Sequence, residues 1–206
     1  MAEIKFATLW ISLILIIIFG IETIYPAVES SFLLDQSAVF QPWRFITSIF
    51  LHASLIHLIS NLFALIIFGL ILETTIGTRR FLLVFFITGI LANIVSFFFY
   101  PSSLGASGAI MGIIGTLTII RPTMGIFAFG MIIPMFIAAI IWVIIDAIGV
   151  FMPDNIGHYA HLSGIFFGII FGFLFKQFHE TRRKRHVIEI PEHILRRWEA
   201  IYMGGE

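Results

Sequence analysis

Long apolar stretches without charge alternate with short clumps of charged residues along the chain. Five stretches hold no Asp, Glu, Lys or Arg: residues 6–21, 45–72, 81–120, 122–145 and 155–175. All but the first reach the roughly 20 residues that a helix needs to cross a membrane. Long strands are disfavoured because a membrane β-barrel alternates apolar and polar residues with a period of two. The pattern therefore predicts membrane-spanning helices.

The longest stretch, 81–120, is too long for one span. It is interrupted by the turn-forming sequence Tyr100-Pro101-Ser102-Ser103-Leu104-Gly105, which divides it into two helices. The predicted fold class is therefore an all-α polytopic membrane protein with a six-helix core over residues 1–178. A first loop at 26–50 and a tail at 179–206 complete the chain. The predicted helices cover residues 6–25, 51–72, 81–99, 105–120, 127–150 and 159–178.

The positive charges are sorted to one side of this arrangement. Six spans place both termini on the same side, and 11 of the 12 Lys and Arg residues fall on that side, leaving only Arg44 opposite. Lys and Arg are enriched in cytoplasmic loops. Both termini are therefore predicted to be cytoplasmic, and the first helix is expected to be an uncleaved span.

Composition narrows the class of protein further. The chain is 59% hydrophobic and 12% charged, whereas soluble domains are about 25% charged. A soluble protein, a nucleic-acid binder and a disordered chain are therefore disfavoured, and no nucleic-acid partner is expected. The absence of Cys excludes disulfides, thiolate metal sites and a Cys nucleophile. In the tail, Arg182–Arg185 is expected to touch anionic lipid, and the segment after Pro191 is predicted to form a short amphipathic helix.

A few polar residues inside the apolar spans are predicted to lie at one depth. At a helix rise of about 1.5 Å per residue, Ser107 and His161 lie roughly 21 and 22 Å from the nearest inner charge. His57 and Asn61, which share a helix face, lie about 24 and 18 Å from theirs. In a hydrocarbon core about 30 Å thick, this level is closer to the outer surface. Polar groups in hydrocarbon are costly, so the cluster is a candidate functional site.

The residue types suit acyl transfer. A serine hydroxyl is a weak nucleophile until a base takes its proton, and His161 could be that base for Ser107. The His57 ring, the Asn61 amide and the backbone N–H of Ser107 could bind a developing oxyanion. The short helix after Gly105 implies non-helical backbone within the membrane, which is tolerated where it lines a wet cavity.

Two other classes of function remain open at this point. A transporter or channel could use the His residues as a proton path, although it would need polar groups at several depths. A haem or metal protein could use His57 and His161, although the H-E-x-x-H spacing of metalloproteases is absent.

Several motifs together resemble those of the rhomboid intramembrane serine proteases. Gly105-Ala106-Ser107-Gly108 resembles the family's GxSG motif, and Ala160–Gly164 with Gly168 resembles its AHxxGxxxG motif. His57–Asn61 is similar to the HxxxN motif, and Trp43-Arg44 to a Trp-Arg pair in the first loop. Each motif is weak alone. Their order, on predicted helices 4, 6 and 2, makes the resemblance specific.

The resemblance implies a Ser–His dyad in a prokaryotic six-helix form. Ser107 would be the nucleophile and His161 the general base and then acid, with His57 and Asn61 in the oxyanion hole. Glycines would support the site by close helix packing: Gly105, Gly108, Gly164 and Gly168. Family members commonly carry an aromatic residue four positions after the serine, where this chain has Met111.

The resemblance also implies substrates, partners and location. The expected substrates are transmembrane segments of other proteins, cleaved without metal or other cofactor. The expected location is the plasma membrane of a prokaryote, with the site near the extracytoplasmic face. A catalytically inactive relative is a further alternative, although such proteins would lack Ser107 or His161, and both are present.

Overall fold

A computed structural model describes residues 6–128, 130–152, 154, 156–185 and 192–203, with segment 177–185 described by its backbone alone. The described chain is mostly helical and carries two small antiparallel strand pairs. The helices are α1 Ala7–Ile24, α2 Ala27–Phe32, α3 Arg44–Thr47, α4 Leu55–Ile76, α5 Thr78–Phe99, α6 Ser107–Ile120, α7 Met135–Gly149, α8 His158–Arg185 and α9 Glu192–Tyr202. The strands are β1 Leu34–Asp35, β2 Ser102–Ser103, β3 Gly125–Ala128 and β4 Met131–Pro134.

Within the described residues, four helices are long and apolar enough to cross a membrane. These are α1, α4, α5 and the first part of α8, up to Lys176. Helices α6 and α7 are also apolar but shorter, with 14 and 15 residues. The length and composition of these helices are those of an integral, multi-pass membrane protein.

Two buried carboxylates tie α1 to its neighbours at its two ends. At the start of α1, Glu73 accepts hydrogen bonds from the backbone of Ala7 at 2.7 Å, from both the backbone and the hydroxyl of Thr8, and from Thr78. It thereby satisfies backbone N–H groups that have no partner within the helix. Near the end of α1, Glu22 accepts from the backbone N–H of His52 at 3.3 Å. Helices α1 and α4 therefore run antiparallel.

Strands β1 and β2 join the first loop to the turn before α6. Leu34 pairs with Ser103 and Asp35 with Ser102. Just beyond the strand, the backbone N–H of Gly105 donates to the carbonyl of Ser48 at 2.8 Å. The turn that leads into α6 is thus held by backbone contacts with the loop at 26–50.

Glycines allow α6 to pack between α5 and α8 at very short range. A Cβ atom at Gly164 or Gly168 of α8 would collide with the carbonyl oxygen of Gly108 or Gly112 on α6. The hydroxyl of Thr116 donates across this interface to the carbonyl of Gly168 at 2.9 Å. Backbones can approach this closely only where side chains are absent.

The helix predicted over 127–150 begins eight residues later than expected, at Met135. Strands β3 and β4 form a hairpin in its place, with Ile126 opposite Ile133. Gly130 in the turn has φ +81°, which suits glycine, and Pro134 lacks the N–H that a continuous helix would use. Segment 125–134 is therefore a hairpin, and the helix follows it.

The ends of two other helices also differ from their predicted positions. The helix predicted over 51–72 covers Leu55–Ile76 because Ser54 caps its start, accepting from the His57 N–H, and Gly77 with φ +87° ends it. It contains a π-helical turn at Leu65–Gly69. Helix α8 continues to Arg185, past the predicted end at 178. The amphipathic helix predicted after Pro191 is present as α9, with its described side chains exposed.

Candidate active site

Ser107 is the first residue of α6, at the end of a sharp turn. Gly105 adopts φ +118°, and Ala106 then occupies the position before the helix. The side chain of Ser107 is half-buried, and no hydrogen bond within the described part of the chain uses its hydroxyl. The first N–H groups of α6 lack helical acceptors, and the helix dipole favours negative charge beside them. The serine therefore lies at a place suited to an oxyanion.

The ring of His57 packs against the turn that precedes Ser107. A Cβ atom on Gly105 would lie only 2.7 Å from its Cε1 atom and 2.8 Å from its Nε2 atom. On its other side, the ring meets that of His52 edge-on, with centroids 5.0 Å apart. His52 is fully buried. His57 thus lies between a buried histidine and the Ser107 turn.

Asn61 lies one helical turn beyond His57 and is also buried. Its Nδ2 donates to the carbonyl oxygen of His57 at 2.9 Å. This bond uses one of the two amide hydrogens. The structure therefore brings Asn61 onto the His57 side of the site while part of its donor capacity is used within α4.

His161 lies in the first turn of α8, next to the end of α7 and on a helix that packs against α6. The preceding residue, Ala160, contacts α6: a Cβ atom on Gly108 would lie 3.6 Å from the Ala160 carbonyl oxygen. The ring of His161 is close enough to His57 for an electrostatic interaction. Its Nδ1 lies 2.9 Å from Oδ1 of Asp146 on α7. Ser107, His57 and His161 therefore gather at one end of the bundle, and within the described residues no hydrogen bond joins Ser107 to His161.

Asp146 is a member of this cluster that sequence reasoning did not assign. It is 4% exposed, and its Oδ1 also lies 2.7 Å from Nδ1 of His158. The other ring nitrogen of His158 lies 3.1 Å from Oδ2 of Asp154. An ionisable residue within an apolar helix was the available sequence signal. Its hydrogen-bond partners, His158 and His161, are 12 and 15 residues away across a loop, so no helical periodicity in the sequence relates them to it.

Hydrogen bonds and aromatic packing hold the start of α8 in place. The backbone N–H of Tyr159 donates to the hydroxyl of Tyr100 at 3.1 Å, and the ring of Tyr159 stacks on Phe99 with centroids 3.9 Å apart.

The ring of His158 fits against Gly149, where a Cβ atom would collide with it. The loop carboxyl of Asp154 accepts from the Ile156 N–H and from His158, which holds its pKa below the usual value. These contacts fix the turn that carries His161.

Asp146, His158 and His161 also carry atoms that could hold a metal ion. Their donor atoms lie within 4.8 Å of one another, and they form the one such group found in the described residues. Two ligands of a tetrahedral zinc ion, at about 2.0–2.2 Å from it, would be roughly 3.3 Å apart. The observed separations of 2.7 and 2.9 Å are instead those of imidazole–carboxylate hydrogen bonds.

Met111 lies one turn into α6, against the helix that carries His161. It is half-buried, and its Cβ would be 3.1 Å from a Cβ atom on Gly164. Its flexible thioether fills this position, where the family commonly has an aromatic ring.

The first loop is fixed by the buried Arg44. Its guanidinium donates to the Leu33 carbonyl at 2.7 Å and to Gln41 at 2.7 Å, and it lies 3.5 Å from the carboxylate of Asp35. A hydrogen bond from the Ser37 hydroxyl, with a smaller contribution from Arg44, holds the pKa of Asp35 below its usual value. Since Asp35 pairs with Ser102, this loop supports the turn before Ser107.

A family model and several known protein sequences match this chain, and all of them are rhomboid proteins. The model of the Rhomboid domain family matches residues 39–178. GlpG, a rhomboid protease of Haemophilus influenzae, is 29% identical over 154 residues, which cover 73% of this chain and 74% of GlpG. RHOMBOID-like protein 6, mitochondrial, of Arabidopsis thaliana is 34% identical over 147 residues, covering 65% of this chain. Rhomboid-like protease 3 of Toxoplasma gondii is 44% identical over 78 residues, covering 37% of it.

These relatives differ from the chain in length. The matched regions make up 44% of the Arabidopsis protein and 30% of the Toxoplasma protein, so the chain spans less than half of each. The family match nevertheless includes α4, the first part of α8 as far as residue 178, and everything between them. The resemblance seen in the sequence motifs is thereby confirmed, and the chain belongs to the rhomboid family.

Proposed function

We propose that this chain is an intramembrane serine endopeptidase that hydrolyses peptide bonds in or near transmembrane segments of other membrane proteins. The observation that carries the proposal is the position of Ser107. It begins an apolar helix directly after a turn that packs on the His57 ring, and this helix packs against the helix of His161. Relatives named as rhomboid proteases support the same activity.

In the proposed reaction, His161 acts first as a base and then as an acid. Its Nε2 takes the proton of the Ser107 hydroxyl while the oxygen bonds to the scissile carbonyl carbon. The same proton is then given to the leaving amine as the C–N bond breaks. Water, deprotonated by His161, hydrolyses the resulting ester and restores the serine. The His57 ring, the free Asn61 amide hydrogen and the N–H groups of α6 bind the oxyanion.

The hydrogen bonds favour His161 over His158 as the base. Both ring nitrogens of His158 are engaged by carboxylates. Among the residues that the structure describes, His161 is hydrogen-bonded through Nδ1 alone, which leaves Nε2 able to accept a proton.

The arrangement in the membrane is part of the proposal. Helices α6 and α7 would be the two further spans, which places both termini in the cytoplasm of a prokaryotic cell and Ser107 near the extracytoplasmic face. The charge distribution supports this orientation. The basic residues after α8 would contact anionic lipid.

Covalent labelling by a fluorophosphonate tests the proposal. The purified wild type is expected to be labelled and to cleave a membrane-spanning test substrate, whereas Ser107→Ala does neither. His161→Ala should abolish both, and Asn61→Ala should leave reduced activity because other donors remain. Absence of labelling and cleavage in the wild type would end the protease proposal. Equal loss in His158→Ala would show that the base was assigned to the wrong histidine.

A further inference from the structure

We infer that Asp146 is a positioning residue for His161, so that the proposed Ser–His pair works with a third residue, whose carboxylate is buried. This inference rests on the proposed function. Asp146 lies near the end of α7 and is 4% exposed, and its Oδ1 lies 2.9 Å from Nδ1 of His161. A carboxylate can only accept a hydrogen bond, so the proton between the two groups resides on Nδ1.

This hydrogen bond determines which nitrogen of His161 can act as a base. A neutral imidazole carries one proton, and Asp146 holds it at Nδ1. Nε2 then keeps its lone pair on the side of the ring away from α7. Without the carboxylate, the two tautomers would compete, and one of them cannot accept the Ser107 proton. When His161 becomes protonated during the reaction, the buried negative charge of Asp146 stabilises the imidazolium.

His158 holds the Asp146 carboxylate in position. It binds the same Oδ1 through Nδ1 at 2.7 Å, and through Nε2 it binds Asp154 at 3.1 Å. An imidazole that bonds to carboxylates with both nitrogens donates from both and is cationic. This cation compensates part of the cost of burying the Asp146 charge. The network therefore runs from Asp154 near the surface, through His158 and Asp146, to His161.

Other ionisable groups near His161 do not replace Asp146. His57 on α4 and Asp154 in the loop after α7 interact with His161 electrostatically, without a hydrogen bond to it. Within the described residues, Asp146 is the one carboxylate hydrogen-bonded to His161. Its removal would therefore leave Nδ1 without this acceptor.

The test compares Asp146→Asn with wild type in the full-length protein, using the fluorophosphonate rate and turnover of a membrane-spanning test substrate. General acid–base catalysis contributes about 10²–10⁴-fold, and loss of positioning forfeits part of this, so labelling and kcat should fall about 10- to 100-fold. KM should change little because Asp146 is not expected to touch the substrate. Asp146→Glu, which keeps the carboxylate, should recover part of the rate. Glu73→Gln is the matched control, because it also replaces a buried carboxylate by an amide, but one that bonds to α1 and Thr78 and not to His161. It should leave the labelling rate unchanged.

A spectroscopic measurement separates positioning from a general structural role. In ¹⁵N-histidine-labelled protein, the His161 signals, identified by their loss in His161→Gln, should show the proton on Nδ1 in wild type and a mixture of tautomers in Asp146→Asn. Labelling of Asp146→Asn within twofold of wild type, or an unchanged His161 tautomer, would overturn the inference. If wild type is labelled at Ser107 and Asp146→Asn is labelled equally fast, only this inference fails. If wild type is not labelled at all, the proposed function fails with it.

Discussion

Gly105 is the residue on which the geometry of the serine turn depends most directly. Its φ of +118° is poorly accessible to residues with a Cβ atom, and the space a Cβ would need is filled by the His57 ring. The backbone conformation of the turn and the position of His57, a proposed oxyanion-hole residue, therefore both depend on residue 105 having no side chain.

Gly105→Ala is expected to slow fluorophosphonate labelling strongly and to lower stability only moderately. The added methyl group strains the backbone by roughly 1–3 kcal/mol, and it also displaces the ring of His57. A displacement near 1 Å can cost about a hundredfold in rate, so fluorophosphonate labelling should slow at least about tenfold. The measurement is the labelling rate, with thermal unfolding followed in parallel.

Gly130→Ala provides the matched control for this prediction. Gly130 also has positive φ, +81°, but a Cβ there would meet nothing within 4 Å. It should lose similar stability and keep its labelling rate. If both variants slow equally, backbone strain alone explains the effect and the His57 contact does not matter.

At the residue level, the sequence indicated those site positions that carry a local pattern. His57 and Asn61 are one turn apart on a helix, and Ser107 lies among small residues at a predicted helix start. Asp146 carries no such pattern, because its bonds to α8 arise only when two helices joined by a loop pack side by side. Its charge marked it as unusual, but its partners could be found only in the structure.

Among the elements, the contact between α6 and α8 brings the proposed nucleophile and base onto neighbouring backbones. Gly164 lies three residues after His161, and the carbonyl of Gly108, one residue after Ser107, occupies the place of its missing side chain. The interface depends on small residues because any side chain here would push the two helices apart.

Gly164→Ala is therefore expected to destabilise the protein by about 1–3 kcal/mol through overpacking, and to slow labelling as His161 moves away from Ser107. Gly20→Ala in α1 is the control, since a Cβ there meets nothing within 4 Å. It should leave stability unchanged or raise it by up to about 1 kcal/mol, because alanine favours a helix interior over glycine. Denaturant unfolding in detergent and the labelling rate measure both effects. Equal behaviour of the two variants would contradict the role assigned to this interface.

Helix ends were harder to predict than the presence of helices. Segment 125–134 is apolar almost throughout, so its hydropathy alone could not distinguish a hairpin from the start of α7. Gly130 and Pro134 were the signals that favoured a turn and a late helix start. The end of α4 depends on Gly77 and on Glu73, whose hydrogen bonds extend to α1, and such long-range contacts have no local signature.

For the whole molecule, the number of spans decides where the hairpin lies. With six spans, α6 and α7 both cross, and the β3–β4 hairpin lies on the same side as the termini. With only the four long helices crossing, the hairpin would lie on the opposite side. Both arrangements put the two termini on the same side, so locating the termini alone does not distinguish them.

Single cysteines can distinguish the two arrangements, because the chain has no cysteine of its own. Three exposed positions are suitable: Gln36 in the first loop, Thr123 before the hairpin and Met203 after α9. In intact cells, a membrane-impermeant maleimide should label Gln36→Cys, and should label Thr123→Cys and Met203→Cys only after the membrane is opened. This expectation follows from the proposed orientation, in which the cationic ends of α6 and α8 lie in the cytoplasm. Labelling of Thr123→Cys in intact cells, with Met203→Cys protected, would favour four spans. Labelling of Met203→Cys in intact cells would show that the orientation is the reverse of the one proposed. Fluorophosphonate labelling of each variant establishes that the site is still folded.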